Sequence, residues 1–572
     1  MNNVINFVSF EFIAFVAVLF VAYYLLPKKW QWPLLLIASV AAFVYADWRN
    51  LIFIGVTAIT TYGCALWMEK INTTQKEYLQ AHKAELDKEQ KKAYKARMKS
   101  RKWAVLLGGL LLNLGILAVT KYTNFAIDTI NGFLNGGYKL IRFENLFIPI
   151  AISYYTFQSV GYIIDVYRDK QPAQKNFFKL ALFVSFFPQL VQGPISRYGD
   201  MSKTLFEPHR FDGKTVSYGL MRILWGYFKK VVIADRLVTA VLALAHGQEV
   251  GRVWMDYNGA YVFVAMLFYA FQLYCDFTGG IDITIGIAQT LGINLAENFN
   301  LPYFSKNIKE YWNRWHITMG SWFTDYIFYP ISVCKPMLKL SKWSREHLGQ
   351  AVGKRVTVYL SSFAVWLTTG IWHGAAWNFI VWGLVNWVVI MASQELEPLY
   401  DKFHSRFKLK GKAPYEVFQI IRTVLLMSAI RMFDVYQDVP LTFKKVGSMF
   451  TQFIPSFTTQ TIKLPVSLGD APFAISVLVP VFNNSNISIL WDGSLLQLGL
   501  SSADYILLAV CLLIALSVSL YKYRSGKSVR DTLYTKCPWL FYGLMGVLVV
   551  AILIFGAYGI GFDASRFIYS QF

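Results

Sequence analysis

The chain has 572 residues, 55% of them hydrophobic and 16% charged, with a mean hydropathy of +0.39. That balance excludes a water-soluble globular domain and marks an integral membrane protein. The formal net charge of +21 does not point to nucleic acid, because the cations gather in short segments between apolar runs, where they record topology.

Crossing a hydrocarbon layer of ~30 Å takes roughly 20 helical residues. Apolar runs of about that kind lie at 10–26, 32–46, 51–68, 104–120, 146–166, 177–191, 260–274, 356–371, 377–392, 417–432, 503–520 and 540–557. Weaker runs at 218–241 and 281–295 read as tilted, interfacial or re-entrant. The expected fold is an all-α polytopic membrane protein with about 11–13 transmembrane helices and short re-entrant or interfacial helices. The first run lacks a basic leader and a small-residue cleavage site, so it reads as a retained helix. Four blocks follow: N-terminal membrane helices at 1–68, a basic linker at 69–102, a core at 103–395, and C-terminal helices at 396–572.

The linker holds eleven Lys/Arg against five Asp/Glu and reads as an exposed helical hairpin or a long helix. Further basic loops lie at 335–355, 401–412 and 522–536. With these loops cytoplasmic, both termini fall outside the cell, and His373 falls toward the external side. No internal repeat is evident, which argues against transporters built from two related halves.

In the core, polar side chains interrupt apolar sequence: Gln158, Asp165, Gln189, Gln192, Arg197, Asp276, Asp282, Asn313, Arg314, His316, Asp325 and His373. Such groups are costly at membrane depth and mark a site or a pathway. In CDFTGGIDITIG, Asp276 and Asp282 flank a glycine pair, a pattern that also suits a cation site in a broken helix and hence an ion-coupled transporter. The stretch YWNRWHITMGSWFTDYIFYP (311–330) is aromatic, short and charged, so it reads as interfacial or re-entrant. On residue type alone, His316 there reads as an interfacial histidine bonded to a neighbour.

His373 sits in TTGIWHGAAWNFIVWG (368–383), near Trp366, Trp372 and Trp377. Desolvation favours a neutral imidazole, which can accept a proton and so act as a general base toward a hydroxyl. A satisfied core histidine is the alternative. Gly370, Gly374, Ala375 and Ala376 leave room either for a ligand or for close helix approach.

Other chemistries find little support. There is no G-x-S-x-G elbow, P-loop or H-E-x-x-H. His82 and Asp87 have H-x-x-x-x-D spacing but sit in a solvated linker. The five cysteines are scattered without a C-x-x-C pair, so neither a disulfide framework nor a metal site is indicated. The segment 455–502, with Gly469-Asp470, Asn483-Asn484-Ser485-Asn486 and several prolines, reads as a polar external region of loops and turns.

Taken in order, ISYYTFQSVGYIIDVYR (152–168), FFPQLVQGPISRY (186–198), YAFQLYCDFTGGIDITIGIAQTLGINLAENFNLPY (269–303), the 311–330 stretch, GIWHGAAWNFIVWGLVN (370–386) and FDASRFIYSQF (562–572) resemble the membrane-bound O-acyltransferases. More narrowly, they resemble the bacterial branch that contains the alginate O-acetylation membrane subunit. The resemblance implies a many-helix fold around a central funnel, with 103–395 as the catalytic core. It aligns His373 with the family's near-invariant histidine and His316 with the second histidine of this branch, making both catalytic. It implies a multi-pass protein of the bacterial cytoplasmic membrane, in contact with membrane lipids. The implied reaction moves an acyl group, acetyl foremost, from a cytoplasmic thioester donor (acetyl-CoA or a carrier-protein thioester) across the membrane for O-acetylation of a cell-surface or exported polysaccharide. No bound cofactor is implied. An extracytoplasmic SGNH-hydrolase-type acetyltransferase is the implied partner that completes transfer to the polymer.

Within this reading, Asn313, Arg314 and Trp315 are placed for orientation or oxyanion contacts. Asp325, Trp372 and Asn378 are placed along the funnel, and Gln192 and Asp276 are placed to tie its walls by hydrogen bonds. Two departures stand out: FYPISVCKPMLKLSKW lacks the Gly-Gly-rich continuation of alginate-type members, and 455–502 has no counterpart. The sibling branch, which transfers D-alanyl groups to teichoic acids, is the alternative. Its members are shorter, and the SRFIYSQF ending favours the acetylation side.

Overall fold

The computed structural model describes residues 7–134, 139–250, 253–452, 457–468, 471–482 and 493–558. The FDASRFIYSQF stretch and the Asn483–Asn486 run lie outside them. Among the described residues, six helices are long and apolar enough to cross a membrane: Asn50–Ala81, Lys88–Phe133, Ala260–Thr290, Trp377–Glu395, Ser502–Ser525 and Pro538–Phe555. Other apolar runs make helices that are shorter, less apolar or broken. The run at 177–191 divides into Phe177–Ser185 and Pro188–Val191, because Pro188 lacks the N–H needed to continue a helix but fits its first turn.

Residues 69–102 form a hairpin whose arms prolong two of the long helices, Asn50–Ala81 and Lys88–Phe133. Asp87 opens the second arm: its side chain accepts from Gln90 N, and Gln90 in turn accepts from Asp87 N. The H-x-x-x-x-D spacing is therefore a turn and a helix cap. Tyr78 stacks on both His82 and Tyr94, at 4.4 and 4.1 Å between ring centres.

The weak run at 218–241 is part of a continuous helical path, Gly213–Tyr227, Phe228–Ala234 and Asp235–His246, whose middle section is a π-helix. It packs antiparallel on Ala260–Thr290 through two glycine pairs. A Cβ on Gly219 would meet Gly286 O at 2.8 Å, and one on Gly226 would meet Gly279 O at 2.6 Å. Each pair is matched from the other side at 2.9 and 2.8 Å. Backbones this close gain packing that no side chain permits. Gly226→Leu is therefore expected to separate the helices and cut the yield of monodisperse protein in detergent by about tenfold or more, measured by fluorescence-detected gel filtration.

The described residues also form two antiparallel hairpins. One pairs Gln248–Val250 with Val253–Met255, and the other pairs Phe457–Leu468 with Ala471–Phe482. The second corrects the expectation of loops and turns across this part of 455–502. Its strands are rich in Thr, Val and Ile, which favour extended backbone, and the two residues between them are a Gly-Asp pair at hairpin spacing.

Candidate active site

The helix Gln350–His373 ends on His373, and after Gly374 to Ala376 the chain returns as Trp377–Glu395. The glycines serve close approach. A Cβ on Gly370 would meet Phe379 O at 2.6 Å, one on Gly383 would meet Trp366 O at 2.5 Å, and one on Gly374 would enter the Phe379 ring. The final carbonyls of the first helix are held from outside. Tyr122 Oη donates to Ile371 O at 2.7 Å, and Lys121 Nζ donates to Trp372 O and Ser153 Oγ, both at 3.2 Å. A cation at the negative end of a helix stabilises it and fixes where it stops.

His373 is buried, with its ring 5.1 Å from Trp372 and 4.7 Å from Trp382, both edge-on. Trp366 joins this wall through Trp312 and Trp382. Trp377 does not: it is half exposed and packs on Phe125. Trp372 also meets His316 at 5.9 Å, so one indole contacts both imidazoles.

His316 separates Ile308–Arg314 from Ile317–Phe323 and adopts a left-handed backbone, φ +50°. It is completely buried, with Phe277 at 5.0 Å, and neither ring nitrogen has a hydrogen-bond partner among the described residues. The reading of His316 as an interfacial histidine bonded to a neighbour is thus corrected.

The other sequence-predicted residues divide. Trp315 is buried and stacks on Tyr311. Asn378 is buried and donates to Phe433 O at 3.0 Å, beside the same wall. Arg314 instead pairs with Glu310 at 2.6 Å, and Asn313 is exposed. The Asp325 carboxylate accepts from Arg197 at 2.9 Å, and its carbonyl accepts from Arg168 at 3.0 Å. Gln192 is buried against Gly280, but its side-chain amide makes no hydrogen bond among the described residues. Asp276 is tied by charge to Lys230, at 2.8 Å.

The positive charge among the tryptophans comes from Arg431, which the sequence reading did not single out. Its guanidinium lies 4.6 Å from the Trp382 ring centre, 5.4 Å from Trp315 and 5.7 Å from Trp312, and it donates to Asp434 at 3.1 Å. A charge ending an apolar run (417–432) was the signal available, and the same holds for Lys121 after 104–120.

Asp276 and Asp282 face cations of the chain itself. The π-helix turns two consecutive lysines inward: Lys230 toward Asp276 and Asp235, and Lys229 toward Asp282 at 2.6 Å, where Arg222 adds a second contact at 2.9 Å. A coupling cation would have to displace these lysines. Among the described residues, no group of three or more His, Cys, Asp and Glu is placed to hold a metal ion.

Two buried histidines thus touch one indole, and a guanidinium packs on the tryptophan wall beside them. Residues 168–433 match the membrane-bound O-acyltransferase family. The chain is 32% identical over 371 residues to a probable alginate O-acetylase of Azotobacter vinelandii, covering 63% of each protein. It is 31% identical over 432 residues to a peptidoglycan O-acetyltransferase of Helicobacter pylori, covering 68% of this chain and 70% of that protein. It is 28% identical over 273 residues to a teichoic acid D-alanyltransferase of Bacillus subtilis, covering 46% of this chain and 62% of that protein. The chain thus spans a little under two thirds of the length of the alginate-type relative, with both histidines inside the matched family region, and it belongs to the membrane-bound O-acyltransferase family.

Proposed function

We propose that the protein is an O-acyltransferase that takes an acetyl group from a cytoplasmic thioester, acetyl-CoA or a carrier-protein thioester, and passes it across the bacterial cytoplasmic membrane for O-acetylation of a cell-surface or exported polysaccharide. The observation that carries this reading is His373, buried at the end of a helix among Trp372 and Trp382. Its imidazole takes the proton of an acceptor hydroxyl as the oxygen attacks the thioester carbonyl, and the C–S bond breaks when the tetrahedral intermediate collapses. The departing sulfur then receives the proton from the imidazolium. Arg431 supplies positive charge beside the ring wall that holds His373, where it favours the developing oxyanion.

The names of the A. vinelandii and H. pylori relatives support acetyl as the group moved and an extracellular polymer as its destination. An SGNH-hydrolase-type partner outside the membrane fits a centre too enclosed to admit a polymer chain. The test is the ester-linked acetate of surface polysaccharide in cells lacking their own copy, with and without the wild-type gene. Acetate is expected to return with the gene. Unchanged acetate with a rise in D-alanine esters would replace this reading with D-alanyl transfer.

A further inference from the structure

A helix whose first residue is Ser, Thr, Asp or Asn has its first amides capped by that residue's own side chain. Ile317–Phe323 begins instead on His316, which makes no such bond. The task falls to Asn298. Its carbonyl accepts from Ile317 N at 3.0 Å, and its Oδ1 accepts from Thr318 N at 3.1 Å and from Thr318 Oγ1 at 2.8 Å. Immediately after it, Phe299 bridges to Trp315, and Asn300 N donates to Arg314 O at 3.0 Å. Asn298 faces the His316 turn, while its neighbours Glu297 and Phe299 line a cavity of about 150 Å³ together with Arg222 and Lys229. Glu297 is anchored there by two 2.6 Å bonds from Arg222.

We propose that Asn298 is a positioning residue for His316. By capping the following helix from outside, it holds His316 at positive φ, a conformation a non-glycine residue keeps only when its surroundings enforce it. It also leaves both ring nitrogens of His316 available to the reacting groups. Without Asn298, His316 relaxes toward negative φ, and its ring swings away from Trp372. This inference rests on the acyltransferase reading.

The experiment follows the initial rate of labelled-acetate incorporation into surface polysaccharide, at matched amounts of folded membrane protein. Asn298→Ala is expected to lower the rate by about 10–100-fold, the cost of misplacing a reacting group by about 1 Å. Asn298→Asp retains both acceptor contacts, and the amide nitrogen it loses has no partner among the described residues; it is expected to stay within about threefold of wild type. In a His316→Ala background, Asn298→Ala is expected to add no more than about twofold, because the two act as one unit. If Asn298→Ala does not fold, Thr318→Val enters the same cycle, with an expected loss of about 3–10-fold. An undiminished rate in Asn298→Ala, an equal loss in Asn298→Asp, or full additivity with His316→Ala overturns the proposal. A His316→Ala protein as fast as wild type also overturns it while leaving the His373 chemistry standing. A wild type that incorporates no acetate counts instead against the acyltransferase reading.

Discussion

His373→Ala is expected to lower acetate incorporation by about 10²–10⁴-fold, the usual loss when a general base is removed. The ring leaves a gap between Trp372 and Trp382, so this variant also loses stability, by about 2–4 kcal/mol. His373→Gln separates the two effects, because it fills much of the gap and cannot take the proton. Both variants are expected to be inactive, with the glutamine protein melting within a few degrees of wild type. Acetate incorporation by the glutamine variant at the wild-type rate would remove His373 from the chemistry. The two measurements together, polymer acetate and melting temperature of the purified protein, distinguish a lost base from a lost fold.

Lys230→Met is expected to be the most destabilising single change outside the helix contacts. Lys230 is buried and joins two buried carboxylates, Asp276 and Asp235. Removing it leaves both uncompensated, a loss of about 3–5 kcal/mol, which should appear as little folded protein in the membrane fraction. The triple variant Lys230→Met, Asp235→Asn, Asp276→Asn carries no charge at the cluster and is expected to recover most of the folded protein. If it also recovers acetate incorporation, the cluster is structural, as the ion pairs suggest. If it folds but transfers nothing, charge at this point serves the reaction.

Much of the site could be read from the sequence, and the remainder fails for identifiable reasons. His316 and His373 stand out because an ionisable group inside an apolar run is informative wherever the chain folds. Arg314 looked equally telling, yet Glu310 four residues earlier was the available warning: an i, i+4 pair on a short helix occupies the guanidinium. Arg431 and Lys121 reach the site through tertiary packing, and no spacing along the chain relates them to His373. The π-helix at Phe228–Ala234 is likewise invisible to a 3.6-residue period, so Lys229 and Lys230, two charges within the weak run at 218–241, gave no sign of being interior groups. The Phe457–Leu468 and Ala471–Phe482 strands could have been predicted from their β-branched content, which the surrounding Asn, Gly and Pro obscured.

The Lys88–Phe133 helix has 46 residues, about 69 Å at 1.5 Å per residue, more than twice the ~30 Å of hydrocarbon it needs to cross. Its basic portion, 88–102, accounts for about 22 Å of that length. The base of this boom is braced by Lys102 and Asn72, which both hold Asp169, and by Glu69, which accepts from Ala173 N. Charges at its tip stand about 22 Å along the helix axis from Lys102, more than two screening lengths of about 8 Å. At that separation they are screened from the charges around Lys102, and the solution surrounding the tip sets what they attract.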